Sequence, residues 1–348
     1  MSSDVLDLLR EPRMTKICAP MVRYSKIQFR TLVRKYNCDL CFTPMILADS
    51  FVKSSAARAS EFTTNKNDKP LIVQFAAKEI DYFVGAAELI APYSNGVDLN
   101  CGCPQRWALK DGYGADLLTK PELVKDLVYQ VRNRISKPFS VSIKIRILKD
   151  IKRTIELCQA VEHAGLSFLT VHARTPQMRN EPIQLESLKL VKSCVQLPVI
   201  ANGNVKCLED AMNLYTESNC NGIMVAGGIL NNPALFSGYR STPVECIRDW
   251  INITSSVPTT FLCFHNHLVF MLEKVLNKKE KQVFNYLNNV NDVYDFLNKR
   301  FDITPKMLYR EYELTNCEYQ VLPQIRHPKN INFDEDEDCS LSLENLFI

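Results

Sequence analysis

Short apolar runs alternate along the chain with longer stretches whose apolar positions recur every three to four residues. The runs at 16–19, 40–43, 71–75, 97–100, 141–146, 168–172, 199–201 and 223–226 are too short for helices. Apolar on successive positions, they read as strands buried on both faces of a sheet. Between them, 27–36, 81–91, 122–135, 151–164, 185–194 and 208–217 carry the period of amphipathic helices. Strand and helix in alternation predict a parallel sheet, because each parallel connection must cross back over a face. Eight such units in about 230 residues match a (β/α)8 TIM barrel, placed at 1–238. Beyond residue 240 the strand pattern stops, and 244–253, 258–277, 280–287 and 290–300 predict helices. The expectation is an α/β barrel followed by a smaller C-terminal all-helical domain over 239–312.

The polar residues that interrupt this pattern fall at the carboxyl ends of the strands, where barrels of this kind build their sites. They are Pro20-Met21, Gln74, Asn100 with Cys103, Lys144 and Arg146, His172 and Arg174, Asn202-Gly203-Asn204, and Ala226-Gly227-Gly228. In Val97-Asp98-Leu99-Asn100-Cys101-Gly102-Cys103-Pro104 a strand runs into a turn that Gly102 permits and Pro104 ends. A thiol there can be a small core residue, half of a metal site or a reactive group. No second Cys or His pair follows at metal-ligand spacing, so no metal is expected. An unshifted thiol, with a pKa of about 8.5, is a ready proton donor at neutral pH, whereas a nucleophile needs a base and no His stands nearby in sequence. The two small-residue loops after strands seven and eight free backbone N–H groups for a phosphate. With Lys144 and Gln74 they would hold a flat, phosphorylated cofactor across the barrel mouth.

Composition adds the setting. The 348 residues are 46% hydrophobic and 23% charged, ordinary for a soluble globular protein. The apolar runs are too short to cross a bilayer, and the acidic start with Asp4, Asp7 and Glu11 is neither a signal nor a transit peptide. Thirteen irregularly spaced cysteines suggest reduced thiols, hence the cytoplasm or the nucleus. The net charge of +3 hides an uneven split: 311–348 hold nine acidic and two basic residues, leaving 40 basic against 30 acidic ahead of them. A basic body suits an anionic partner such as nucleic acid. Arg23, Lys26, Arg106, Lys110, Arg174 and Arg179 lie on or beside rim loops, and Lys274, Lys278, Lys279, Lys281, Lys299 and Arg300 give the helical domain a basic face. His265 and His267 are read as structural or facing that partner. The tail over 313–348, with its acidic run 334–338, is expected to be disordered.

Over about residues 14–310 the chain resembles the tRNA-dihydrouridine synthases, in detail their eukaryotic four-like branch. The resemblance rests on Ala19-Pro20-Met21, Val73-Gln74-Phe75, the segment from Asp98 to Pro104, Gly112-Tyr113-Gly114-Ala115-Asp116-Leu117-Leu118, Ser142-Ile143-Lys144-Ile145-Arg146, Val171-His172-Ala173-Arg174-Thr175, Ala201-Asn202-Gly203-Asn204, and Ala226-Gly227-Gly228 with Asn232-Pro233-Ala234-Leu235-Phe236. It implies an oxidoreductase that carries flavin mononucleotide (FMN), is reduced by NADPH and reduces the C5=C6 bond of uridines in tRNA. Cys103 would protonate C5 and Asn100 would help hold the base. Gln74, Lys144 and His172 would contact the flavin, with Pro20, Met21 and Val22 along its ring. Asn202, Gly203, Asn204, Ala226 and Gly227 would bind its phosphate. Family members often carry Arg where this chain has Gly227, so a guanidinium contact would be missing. Two rival readings stay open: a flavin barrel acting on a free pyrimidine, and a tRNA-binding barrel without catalysis.

Overall fold

A computed structural model describes residues 4–306 and 313–320. Nine strand segments occur in it: β1 (Thr15–Cys18), β2 (Leu40–Phe42), β3 (Ile46–Leu47), β4 (Leu71–Ala76), β5 (Gly96–Cys101), β6 (Ser140–Arg146), β7 (Phe168–His172), β8 (Val199–Asn202) and β9 (Gly222–Val225). Every pairing among them is parallel. The order runs β2-β1-β9-β8-β7-β6-β5-β4, and β4 pairs again with β2, so eight strands close a barrel. β3 is the resumption of β2. The chain leaves the ladder at Thr43-Pro44-Met45, where Pro44 has no N–H to donate, and rejoins β4 at Phe75 and Ala76. One predicted strand is therefore two segments, and the short helices Ala48–Lys53 and Ser55–Glu61 follow where the sequence pattern shows no period.

Strand ends otherwise fall within one residue of expectation. The reason is the burial: β4 and β5 are buried at every position, so apolar residues dominate both, broken only by Gln74, Asp98 and Asn100, and mark their limits. Val5–Arg10, capped by Asp4, packs Val5 and Leu9 into the core, and Leu8 accepts a hydrogen bond from Thr15 at 3.2 Å at the amino end of β1. The carboxyl end is left open.

The helical part, Val244–Ser256, Phe261–Leu272, Lys278–Asn285 and Val290–Phe301, docks on the barrel helix Ile27–Lys35. The expected helix 258–277 is shorter, starting after Pro258 at the Thr260 cap and ending at Leu272. His267 sits at the seam. Its ring stacks on Phe29 at 4.6 Å and lies 4.5 Å from Trp250, with Nε2 3.1 Å from the Tyr24 carbonyl. His265 stacks between Phe261 and Phe284. Both histidines are buried and structural, although two apart, because this helix is apolar on nearly all sides.

Residues 313–320 do not continue as a free tail. Thr315 exchanges backbone hydrogen bonds with Thr64, Arg58 donates to the Cys317 and Glu318 carbonyls, and Cys317 is buried. The sequence hid this because the anchor is backbone, which carries no composition signal. The acidic run 334–338 lies outside the described residues.

Burial pushes the His267 imidazole from its ordinary 6.5 down to about 3. Between those values the unfolded chain binds a proton that the folded chain refuses. Stability from this site is thus intact above pH 6.5 and is lost as the pH falls from there toward 3. Urea melts at stepped pH should give a shallower acid-side slope for His267→Asn than for the wild type. An unchanged slope would mean the ring is not buried in its neutral form.

Candidate active site at the barrel mouth

The strand ends bring the expected residues to one rim. The parallel register sets Gln74 beside Asp98, Asn100 beside Lys144, and His172 beside Asn202. Ala19, leaving β1, donates to the Val225 carbonyl, which brings the Pro20-Met21-Val22 loop against the loop after β9. Met21 is buried there, and Val22 turns outward and is exposed.

Cys103 is held on both sides of its backbone. Its N–H donates to Asn100 Oδ1 at 2.9 Å, and that oxygen also accepts from Gly102 N at 3.2 Å. Its carbonyl accepts from Ala115 N at 2.9 Å. Gly114 makes this clamp possible: its φ is +62°, and a Cβ there would lie 2.6 Å from the Cys103 oxygen. The half-buried thiol packs in a small apolar cluster with Met45, Leu47, Trp107 and Tyr113. Burial raises its pKa above the ordinary 9.0, against a smaller pull from Arg146 and Lys144, so the sulfur stays protonated at neutral pH.

Gln74 and Asn100 belong to one chain of hydrogen bonds. Asn100 Nδ2 donates to Gln74 Oε1 at 2.9 Å, and Gln74 Nε2 donates to Asp98 Oδ2 at 2.7 Å. Neither Asp98 nor its other partner, Ser142, stood out in the sequence as a site residue. Asp98 did interrupt an apolar strand, and that was the available signal.

Across the mouth the groups are cationic. Burial lowers Lys144 to about 8, and its Nζ has no hydrogen bond among the described residues. Thr170, its register neighbour, has a buried hydroxyl with no partner among the described residues. Arg146 donates to the Thr175 and Met178 carbonyls. Burial, reinforced by Lys144, Arg146 and Arg174, pushes His172 from 6.5 to about 2, so the ring is neutral. Its Nε2 accepts from Arg174 at 3.3 Å, which leaves the ring proton on Nδ1.

The two small-residue loops line a cavity of about 130 Å³ with His172 and Arg174. Asn202 Nδ2 ties them together through the Met224 carbonyl at 2.8 Å. Gly203, at φ +131°, has no room for a Cβ, which would meet Ile183 at 2.6 Å. The amides of Gly203, Asn204 and Gly227 make no backbone hydrogen bond among the described residues. Arg174 reaches over this cradle to Asn204 Oδ1 and to the Glu181 carbonyl. A Cβ on Gly227 would meet nothing within 4 Å. Free amides fit a phosphate at one end, and the Lys144 ammonium an electron-rich ring edge at the other.

Of the proposed nucleic-acid contacts, Arg106, Lys110 and Arg179 are exposed near the mouth. In the helical part Lys274, Lys278, Lys279 and Lys299 are exposed, while Lys281 and Arg300 are paired with Glu273 and Glu280, both at 2.8 Å.

A model of the dihydrouridine synthase family matches residues 17–318. A human protein named tRNA-dihydrouridine(20a/20b) synthase [NAD(P)+]-like is 52% identical over 301 residues, 86% of this chain and 95% of that protein. The Schizosaccharomyces pombe tRNA-dihydrouridine(20a/20b) synthase [NAD(P)+] is 40% identical, over 85% of this chain and 91% of that protein. Its Saccharomyces cerevisiae counterpart is 36% identical over 83% and 81%.

Gly114→Ala should disturb the thiol selectively. The added methyl would sit 2.6 Å from the Cys103 oxygen and 2.8 Å from its Cβ, and the left-handed backbone adds about 1–2 kcal/mol of strain. A lower melting temperature and faster alkylation of Cys103, mapped by mass spectrometry, are expected. Wild-type values of both would show that the clamp has slack.

Proposed function

The chain belongs to the dihydrouridine synthase family, and from that premise we propose that it uses FMN and NADPH to reduce the C5=C6 bond of tRNA uridines. The relatives' names give positions 20a and 20b, and we take these as the positions modified here. The observation that carries the reading is a half-buried thiol clamped at the lip of a cation-lined mouth, beside a cradle of free amides. The free thiols of the described cysteines accord with work in the cytoplasm or nucleus.

The residues present fit the cofactor. Lys144 Nζ and the Thr170 hydroxyl lack partners that a carbonyl-rich ring would supply. Gln74, Lys144 and His172 would hold that edge, Pro20, Met21 and Val22 the ring system, and Asn202, Gly203, Asn204, Ala226 and Gly227 the phosphate. A bound flavin would supply the hydride chemistry, relaying one proton with two electrons from NADPH to C6 of the uracil ring. Cys103 Sγ–H gives the proton to C5, and the thiolate left behind is stabilised by Arg146 and Lys144 before solvent reprotonates it. Asn100 steadies the base. The uridine must leave its stack to reach the mouth, and the exposed cations of rim and helical part meet the RNA backbone around it.

Cys103→Ala should stop dihydrouridine formation on unmodified tRNA yet leave flavin binding and its reduction by NADPH intact. Because the protonated thiol is the active form, the wild-type proton-transfer step should be level through neutral pH and fall only above 9.0. A normal product rate in the variant would remove Cys103 from the mechanism. Gly227→Arg has open space for its side chain and should raise the flavin retained on purification. Unchanged retention would mean that the amides and Arg174 already suffice.

A further inference from the structure

We propose that Asp98, with Ser142 behind it, is a positioning residue for Cys103, acting through the side chains of Gln74 and Asn100. The proposal rests on Cys103 as proton donor and concerns what fixes that donor in place.

Asp98 lies on β5, inside the barrel, with none of its surface exposed. A carboxylate this deep is costly unless hydrogen-bonded, and both of its oxygens are. Oδ1 accepts from Ser142 Oγ at 2.6 Å and Oδ2 from Gln74 Nε2 at 2.7 Å. From there the chain runs through Gln74 Oε1 to Asn100 Nδ2 at 2.9 Å, and from Asn100 Oδ1 to the N–H of Cys103 at 2.9 Å.

The direction of this chain is the point. Gln and Asn side chains donate at one end and accept at the other, so either can be turned over with its neighbours. An ionised carboxylate only accepts. Asp98 therefore requires Gln74 to present its NH2, which leaves Gln74 Oε1 as an acceptor. Asn100 must then give its NH2 to Gln74, which leaves Oδ1 facing the two loop amides. If the order reversed, the Asn100 NH2 would face the N–H groups of Gly102 and Cys103, and the loop would lose both bonds. One buried charge, two side chains away, sets the orientation on which the thiol's backbone depends. Among the described residues Asp98 makes no ion pair. Burial raises the carboxylate pKa to about 6, while the hydrogen bonds from Ser142 and Gln74 and the charge of Lys144 favour the ionised form.

Asp98→Asn tests this with little change of shape. The amide still bonds to Gln74 and Ser142 but no longer dictates direction. The full FMN-loaded chain should form dihydrouridine from unmodified tRNA about tenfold more slowly in single turnover, since small misplacements of a reacting group carry penalties of that order. Ser142→Ala should cost less. Rates are taken per bound flavin, because Gln74 would also contact the flavin; NADPH reduction of the bound flavin and the melting temperature should hold, which a general structural defect would not allow. Alkylation of Cys103 by iodoacetamide should quicken, with half-buried Cys194 and Cys207 unchanged as internal controls. In a Cys103→Ala background, Asp98→Asn should add nothing, because the two act in series. Wild-type turnover and alkylation in Asp98→Asn, beside an inactive Cys103→Ala, would overturn this proposal alone, as would an equal loss in both half-reactions. A fully active Cys103→Ala would overturn the proton-donor reading and this inference with it.

Discussion

The hydrogen bond from the Cys103 amide to the side chain of Asn100, 2.9 Å long, couples a loop to the interior of the barrel. Loops at a barrel mouth carry chemistry because they vary, but a group that transfers a proton must return to one place. Here the place is set from inside, by side chains on β4, β5 and β6 that pack at the same level of the throat. Gly114 clamps the loop from outside, at a backbone angle other residues resist. The thiol is thus rigid in its backbone and half-buried at the mouth.

The electrostatics of the mouth follow from where its cations find partners. Arg146 and Arg174 reach backbone carbonyls, which satisfy geometry without cancelling charge. Lys144 bonds to nothing among the described residues, and His172 is kept neutral by burial, reinforced by the three of them. Positive potential therefore gathers where an electron-rich ring and a phosphate would lie. In the helical part Lys281 and Arg300 are neutralised by neighbouring carboxylates. The basic face read from that sequence is accordingly narrower than its residue count suggests.

Much of this was legible in residue order because barrel strands are buried on both faces and so mark themselves. β6, as an apolar run broken by Lys144 and Arg146, marks both the strand and its functional end. The split at Pro44 was not legible, since a strand that leaves and rejoins the sheet looks like a strand and a loop. Asp98 showed only as an interruption: its partner Ser142 is distant in sequence, and the amide directions between them exist only in three dimensions. The return of residues 313–320 to Thr64 and Arg58 was hidden for a related reason, being made by backbone groups that every residue type carries. The acidic composition there pointed to a free tail, and local propensity lost to a tertiary contact.

The central claim is that this mouth reduces a uridine in RNA, and the most direct measurement is the mass of the product. Unmodified tRNA, incubated with the purified chain, FMN and NADPH, should gain two hydrogens on a uridine in nuclease fragments resolved by mass spectrometry, while free uridine gains none. NADPH consumed with the tRNA mass unchanged, or free uridine reduced as readily as tRNA, would contradict the account.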